Sequence, residues 1–268
     1  MHLPEGKKVY FASDFHLGTP SHIESRKRED KIVRWLEQVR KDAAHIYLMG
    51  DMFDFWFEYS TVVPKGFIRF QGKLAEITDS GIPITFFTGN HDMWIFDYFT
   101  KELGIEVVRK PIDVKIAGKS FMLGHGDGLG PGDFFYKILK RIFANKVCQW
   151  LFGFIHPNIG IGIANFWSQS SRAKNMKVDE GFYGKEGEWL WVYCNEQEAE
   201  QHRDFYVFGH RHLPLDLEVG ESSRYVNLGE WLSHYTYAEF DGENLNLLTF
   251  EDEPSVSRTN NSMDSRSS

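Results

Sequence analysis

The sequence predicts an α/β fold. Short apolar runs recur and end in polar residues, helical periodicities separate the early ones, and the last third turns to strand patterns with hairpin signals. Residues 9–13 read as a first strand. The helix at 24–42 follows, with Ile32, Val33, Leu36 and Val39 on one apolar face beside Trp35. A second strand runs over 46–49. The next helix, 65–80, aligns Phe67, Phe70, Leu74 and Ile77, and Gly81 is its stop. A third strand covers 84–88. Such strand–helix–strand alternation gives βαβ units, and unbroken apolar strands indicate a sheet covered on both faces. Residues 112–123, broken by Ala117-Gly118-Lys119, form a hairpin instead. A strand at 205–208 and antiparallel strands over 215–250, with Asp241-Gly242 as a turn, complete the pattern.

Composition narrows the class. The 268 residues are 42% hydrophobic and 25% charged, which excludes global disorder. The 23 Phe, 11 Tyr and 8 Trp are enough for a sizeable core. A net charge of -8 argues against a general nucleic-acid binder. Two cysteines, Cys148 and Cys194, exclude a disulfide scaffold and a Cys-rich zinc module. Residues 1–8 are short and polar, with no export signal, and no run of about 18 uncharged apolar residues is present. The expected location is the cytoplasm. Residues 255–268, rich in Ser, Asn and Arg, are expected to be a disordered tail.

Five strand ends each deliver chemistry-bearing residues: Asp14 and His16, Asp51 and Asp54, Asn90 to Asp92, His125 and Asp127, and His210 and His212. In open α/β sheets, ligands gather outside the carboxyl ends of strands. Carboxylate, amide and imidazole groups without a thiolate suit manganese, iron, zinc or magnesium in a hydrolytic site. Even seven of these groups exceed the needs of one tetrahedral ion and suit two ions sharing a carboxylate. Taken singly, each has a plain structural explanation: Asp14 or Asp51 as a cap, Asn90 as a turn residue, His125 as a buried histidine.

Together, Asp-x-His, Gly-Asp-x-x-Asp, Gly-Asn-His-Asp, Gly-His and Gly-His-x-His, in this order from Asp14 to His212, resemble the calcineurin-like metallophosphoesterases. The resemblance implies a layered α/β fold with mixed sheets flanked by helices. It implies that Asp14, His16 and His212 bind one divalent metal, that Asn90, His125 and His210 bind a second, and that Asp51 bridges both. His91 then points at the substrate, with Asp92 orienting or polarising it. Asp127 is expected to hydrogen-bond a ligand histidine. Two ions about 3.5–4 Å apart acidify a water and clamp phosphoryl oxygens, so no nucleophilic Ser or Cys is required.

The spacings Asp14–Asp51, Asp51–Asn90 and Asn90–His125 are 37, 39 and 35 residues, whereas His125–His210 is 85. About half of that long interval is an insertion, expected to be a helical cap at 133–188 on a core formed by 1–132 and 189–254. With its aromatic helices and polar patch, this segment is similar to that of the UDP-2,3-diacylglucosamine pyrophosphohydrolases of lipid A synthesis. The similarity extends to residues 11–17, 50–55, Asp133-x-x-Tyr136 and 171–177. It implies hydrolysis of a nucleotide-sugar lipid diphosphate, manganese as the cofactor and a peripheral place on the inner membrane surface. It also makes Asp133, Ser171, Arg172 and Asn175 candidates for binding substrate alongside Asn90 and His91. Many members of that subfamily carry Arg after the Gly-Asn, where this chain has His91, as the wider superfamily does. Trp150, Leu151, Phe154, Ile155, Phe166 and Trp167 suit either a second core under the cap or an acyl pocket. Lys137, Lys140, Arg141 and Lys146 suit a solvated helix face or one turned to anionic lipid. A general phosphodiesterase or nucleotide pyrophosphatase, and a non-catalytic scaffold, are the alternative functions.

Overall fold

The computed structural model describes residues 1–132, 134–164, 166, 181–182 and 184–251. Asp133, Ser171, Arg172, Asn175, Trp167 and the expected tail lie outside these residues.

Two mixed sheets stack face to face. The first has the order β11-β10-β1-β2-β3-β4 and the second β5-β6-β7-β9-β8. In the first, β1 (Lys8–Ala12), β2 (Ala43–Leu48), β3 (Ile84–Phe87) and β4 (Glu106–Val108) are parallel, and the hairpin of β10 (Thr236–Phe240) and β11 (Leu245–Thr249) joins antiparallel at β1. In the second, β6 (Lys119–Leu123), β7 (Phe205–Phe208) and β9 (Ser223–Leu228) are parallel, and β5 (Ile112–Ile116) and β8 (Pro214–Val219) form antiparallel edges.

Side chains alternate along each strand, so every inner strand is apolar on both faces. Val9, Phe11, Tyr47 and Phe87 enter the core between the sheets, against Phe121, Leu123, Phe205 and Val207. Tyr10, Ala12, Ile46, Leu48 and Phe86 face the opposite way. They meet α1 (His22–Val39), α2 (Ile68–Asp79) and α3 (Tyr98–Leu103). The Ser21 side chain accepts from Glu24 N and starts α1, which buries Ile32, Trp35, Leu36 and Val39. Val33, expected on that face, is only half-buried, because it lies at its margin. On the far side of the second sheet, Met122, Tyr206 and Phe208 pack against α7 (Trp189–Glu200), which buries Leu190 and Cys194. The result is a helix–sheet–sheet–helix stack.

Between β6 and α7 the chain forms α4 (Phe134–Phe143), α5 (Lys146–Phe152) and α6 (Pro157–Ala164). None of the residues of α4 or α5 is fully buried. No single helix among the described residues is long and apolar enough to cross a membrane; α5 and α6 qualify only as a pair, bent by 119° at their break.

The C-terminal strands form antiparallel pairs, as the pattern predicts, and the two hairpins belong to different sheets. Trp231, fully buried in the connection, donates its main-chain N–H to the Asp14 carbonyl at 3.1 Å and its indole N–H to the Thr236 carbonyl at 2.9 Å. That loop therefore crosses beside the Asp14 strand end, carrying the chain from one sheet to the other.

Candidate metal centre

The carboxyl ends of β1, β2, β3, β6 and β7 open on one edge of the stack, and each delivers its motif there. Glycines make the approach possible. A Cβ on Gly89 would collide with Asp51, and one on Gly209 would collide with Ser13 and the Asp14 carboxylate. The backbone is strained as well. Of eight described non-glycine residues with positive φ, five are Asp14, His16, Asp51, His210 and His212. Strain concentrated in this way is typical of functional sites.

Asp14, His16, Asp51 and His212 bring four ligand atoms within 4.8 Å of one another. Asp51, His125 and His210 form a second such group. Asp51 belongs to both: its Oδ2 lies 3.3 Å from His125 Nε2 and 3.9 Å from His16 Nε2. Asn90 Oδ1 is 3.4 Å from His125 Nε2. His212 Nε2 lies 3.1 Å from Asp14 Oδ1 and 3.0 Å from His16 Nε2. The His125 Nδ1–H donates to the Met49 carbonyl at 2.8 Å, which leaves Nε2 as its ligand atom.

The donor set fits divalent cations. Asp14 Oδ1 and Asp51 Oδ2 are buried without a hydrogen-bond partner among the described residues, a costly arrangement unless a cation completes it. Charge points the same way. Burial works against a charged imidazole, yet Asp14 and Asp54 hold His16 at about 9, and Asp51 holds His125 at about 10. Burial also works against the Asp51 carboxylate, yet His125, His91 and His16 hold it far below the usual range. His210 goes the other way, to about 4, through burial and the nearby His125. The pocket thus favours positive charge at its centre, and its oxygen and imidazole donors suit hard-to-borderline ions.

His91 sits on the rim. Its main-chain N–H donates to Asp51 Oδ1 at 2.8 Å, and its Nδ1–H donates to the Asp54 carbonyl at 3.0 Å. Asp92 follows in the same loop. It is fully buried, accepts from the backbone N–H groups of Gly89 (2.7 Å), Met52 (2.8 Å) and Asp51 (3.3 Å), and lines neither cavity beside the centre. Its carboxyl pKa rises to about 7 through burial and the Asp51 charge. Asp92 therefore pins the β3 loop to the β2 loop. Asp127 differs from expectation: it bonds the Tyr136 hydroxyl at 2.6 Å and pairs with Lys140 at 2.7 Å, so it ties α4 to the loop after His125.

Several supports escaped the sequence. Arg28, buried on α1, donates to the carbonyls of His16 and Thr19. Asn227 donates to the Gly209 carbonyl at 2.6 Å. The buried Asp54 carboxylate lies 3.7 Å from His16 Nδ1 and 3.8 Å from His91 Nδ1. Only the strand-end position of Asp54 signalled such a role.

The fold and this double cluster define a metal-dependent phosphoesterase. The sequence model of the calcineurin-like phosphoesterase family matches residues 7–214, and the chain belongs to that family. A Porphyromonas gingivalis protein named UDP-2,3-diacylglucosamine hydrolase is 41% identical over 257 residues, covering 91% of this chain and 98% of that protein. A protein of the same name from Edwardsiella ictaluri is 24% identical over 226 residues, covering 83% and 85%. The solved structure of Yfce, a phosphoesterase from E. coli, covers 90% of this chain and 92% of its own at 16% identity, with a TM-score of 0.45.

Proposed function

We propose that this enzyme hydrolyses the diphosphate bond of UDP-2,3-diacylglucosamine to UMP and 2,3-diacylglucosamine 1-phosphate. One observation carries the lipid part of this reading. A cavity of about 390 Å³ opens on Asn90 and His91 and is otherwise mainly apolar. Phe55 and Trp94 of the core line it with Leu139, Phe143, Phe152 and Ile163 of α4, α5 and α6 and with Ile155 between α5 and α6. The Trp94 indole N–H donates to the Phe143 carbonyl at 2.8 Å, fixing the wall between strand-end loop and helices. A phosphodiesterase for small polar esters has no use for such a chamber beside its centre. An acyl chain gains about 0.8 kcal/mol for each buried CH₂.

In this reading Asp14, His16 and His212 hold one divalent ion, Asn90, His125 and His210 hold the other, and Asp51 is shared, with manganese as the metal. The ions, when bound, supply Lewis acidity toward the phosphoryl oxygens. The chain supplies the rest. His125 presents Nε2 because Met49 fixes its Nδ1–H, and His91 is likewise held through Nδ1, so that its Nε2 serves the substrate. From there His91 donates a proton or a hydrogen bond to oxygens that gain charge as the diphosphate opens. Its main-chain bond to Asp51 keeps it in register with the cluster.

The reading also carries a cap at 133–188 on a core of 1–132 and 189–254. It places the enzyme in the cytoplasm, at the inner membrane surface. Phe134, Phe135, Val147, Trp150 and Leu151 of α4 and α5 are exposed, as is Phe154 just beyond, with Lys137, Arg141 and Lys146 on the same two helices. Apolar tips with basic neighbours suit a surface of anionic lipid. The deciding assay compares UDP-2,3-diacylglucosamine with its deacylated form. A kcat/KM at least about 10²-fold higher for the acylated substrate is expected, because remote contacts raise rate as well as affinity. Equal values would return the enzyme to general nucleotide pyrophosphatases.

A further inference from the structure

A second cavity, of about 420 Å³, meets the same strand end at Thr88 and Gly89. Met93 and Lys140 line both cavities and form the partition. The two chambers differ in chemistry. The first touches the rim of the metal centre at Asn90 and His91; the second reaches it at Gly89 and Asp127. Gly89 immediately precedes Asn90 and Asp127 lies two residues after His125, so this chamber adjoins the strand ends that carry those two residues.

The second chamber is cationic in a chain of net charge -8. Arg109, Lys140 and Lys146 line it. Lys140 is neutralised by Asp127 at 2.7 Å. Arg109 bonds only main-chain oxygens, those of Ile95 at 2.7 Å and Phe96 at 2.9 Å, and neither Arg109 nor Lys146 has a carboxylate partner among the described residues. Two uncompensated charges suit a phosphomonoester dianion. The half-buried ring of Phe96 offers a face for a flat base, and Gln149 adds an amide. The volume lies within the range of small-molecule sites.

We propose that this second cavity receives the uridine monophosphate half of the substrate, so that the scissile diphosphate spans the partition at Asn90. The inference rests on the function proposed above and adds the place of the nucleotide. A lipid tail gains nothing in a chamber lined by Arg109 and Lys146, and a nucleotide gains little in one lined by Trp94 and Phe152. The two halves of one substrate are thereby sorted to opposite sides.

The test titrates UMP, and separately inorganic phosphate, into the manganese-loaded protein and into Lys146→Glu and Arg109→Lys by calorimetry. KM and kcat for UDP-2,3-diacylglucosamine are measured in parallel. Lys146 is exposed on α5, so its replacement does not endanger folding, and Arg109→Lys retains charge while losing the fork. Lys146→Glu is expected to weaken UMP by about 10-fold, the lower end for a charged hydrogen bond, and to raise KM. UMP binding unchanged in both variants overturns the proposal. So does phosphate that binds as tightly as UMP, with equal losses in the variants, since the cavity then recognises phosphate alone. If wild type cleaves the lipid substrate while UMP binding ignores both substitutions, only the nucleotide site falls. If wild type leaves the lipid substrate intact while the variants still lose UMP, the site stands and the lipid assignment falls.

Discussion

Arg211 donates from Nε to Glu188 Oε2 at 2.8 Å, and both side chains are buried. Arg211 stands between His210 and His212, and Glu188 immediately precedes α7. The guanidinium also donates to the Gly181 carbonyl, and the Tyr225 hydroxyl donates to Glu188 Oε1 at 3.3 Å. One ion pair thus ties the loop carrying two histidines to the segment that leads into α7. Glu188→Ala removes the carboxylate that faces the buried Arg211 guanidinium. Urea unfolding should show a loss of about 3–5 kcal/mol. Metal affinity should fall by roughly 10-fold, as for other groups that orient a ligand. A stable variant with unchanged metal affinity would separate this pair from the centre.

Asp51 is the residue that both ligand groups share. Asp51→Asn keeps the shape and the acceptor of the His91 N–H, but removes the charge that holds His16 and His125 in place. Metal analysis after loading should find fewer than two ions per chain. Turnover should fall by more than the ~10–100-fold usual for an outer partner of a metal site. Two retained ions with near-normal turnover are incompatible with a shared carboxylate.

The parts legible in the sequence were those with a period or a spacing. Ile32, Leu36 and Val39, and Phe70, Leu74 and Ile77, lie buried at helical intervals, and the five strand ends converge because parallel strands share one edge. Other features depend on contacts between residues distant in the chain. Asp92 belongs to a motif, yet its carboxylate is consumed by the Gly89 N–H and by backbone N–H groups of the Asp51 loop, the latter a use no local pattern reveals. Glu188 lies 23 residues before Arg211 in an unremarkable polar stretch. The split of the C-terminal strands between sheets was hidden too, because both hairpins alternate in the same way and only the buried Trp231 marks the crossing.

His45 offers a measure of the fold apart from the centre. It is on β2, with Nε2 2.9 Å from Thr85 Oγ1 and its ring stacked on Tyr47 at 4.2 Å. Burial lowers its pKa to about 4. In the unfolded chain the value is about 6.5, so between those limits the unfolded state binds a proton that the folded state refuses. The stabilisation is complete above pH 6.5 and is lost as pH falls toward 4. Unfolding free energies of wild type and His45→Gln should therefore converge, or cross, in acid. The difference between them should change by roughly 1–3 kcal/mol from pH 7 to pH 4. Parallel curves would show that His45 titrates normally in the folded protein.

His91 separates chemistry from metal assembly. Its main chain is bonded to Asp51 and its ring to the Asp54 carbonyl, while the ring also lines the apolar cavity. His91→Ala keeps the main-chain bond and removes only the ring. Metal content should stay at the wild-type level while kcat falls by roughly 10²–10⁴-fold, the usual range for general acid–base help. The form of the loss identifies the role. A proton donor matters least when the leaving group is already acidic, so p-nitrophenyl esters should lose less than alkyl esters. An equal loss across leaving groups means that the ring stabilises phosphoryl charge instead. His91→Arg tests the same position in the other direction, since it keeps positive charge but gives up a transferable proton. If charge is what His91 supplies, the Arg variant should retain lipid-substrate turnover that the Ala variant lacks. If proton transfer is what it supplies, the two variants should fail alike on poor leaving groups. Loss of metal in His91→Ala would make His91 a ligand and remove the division between binding and chemistry.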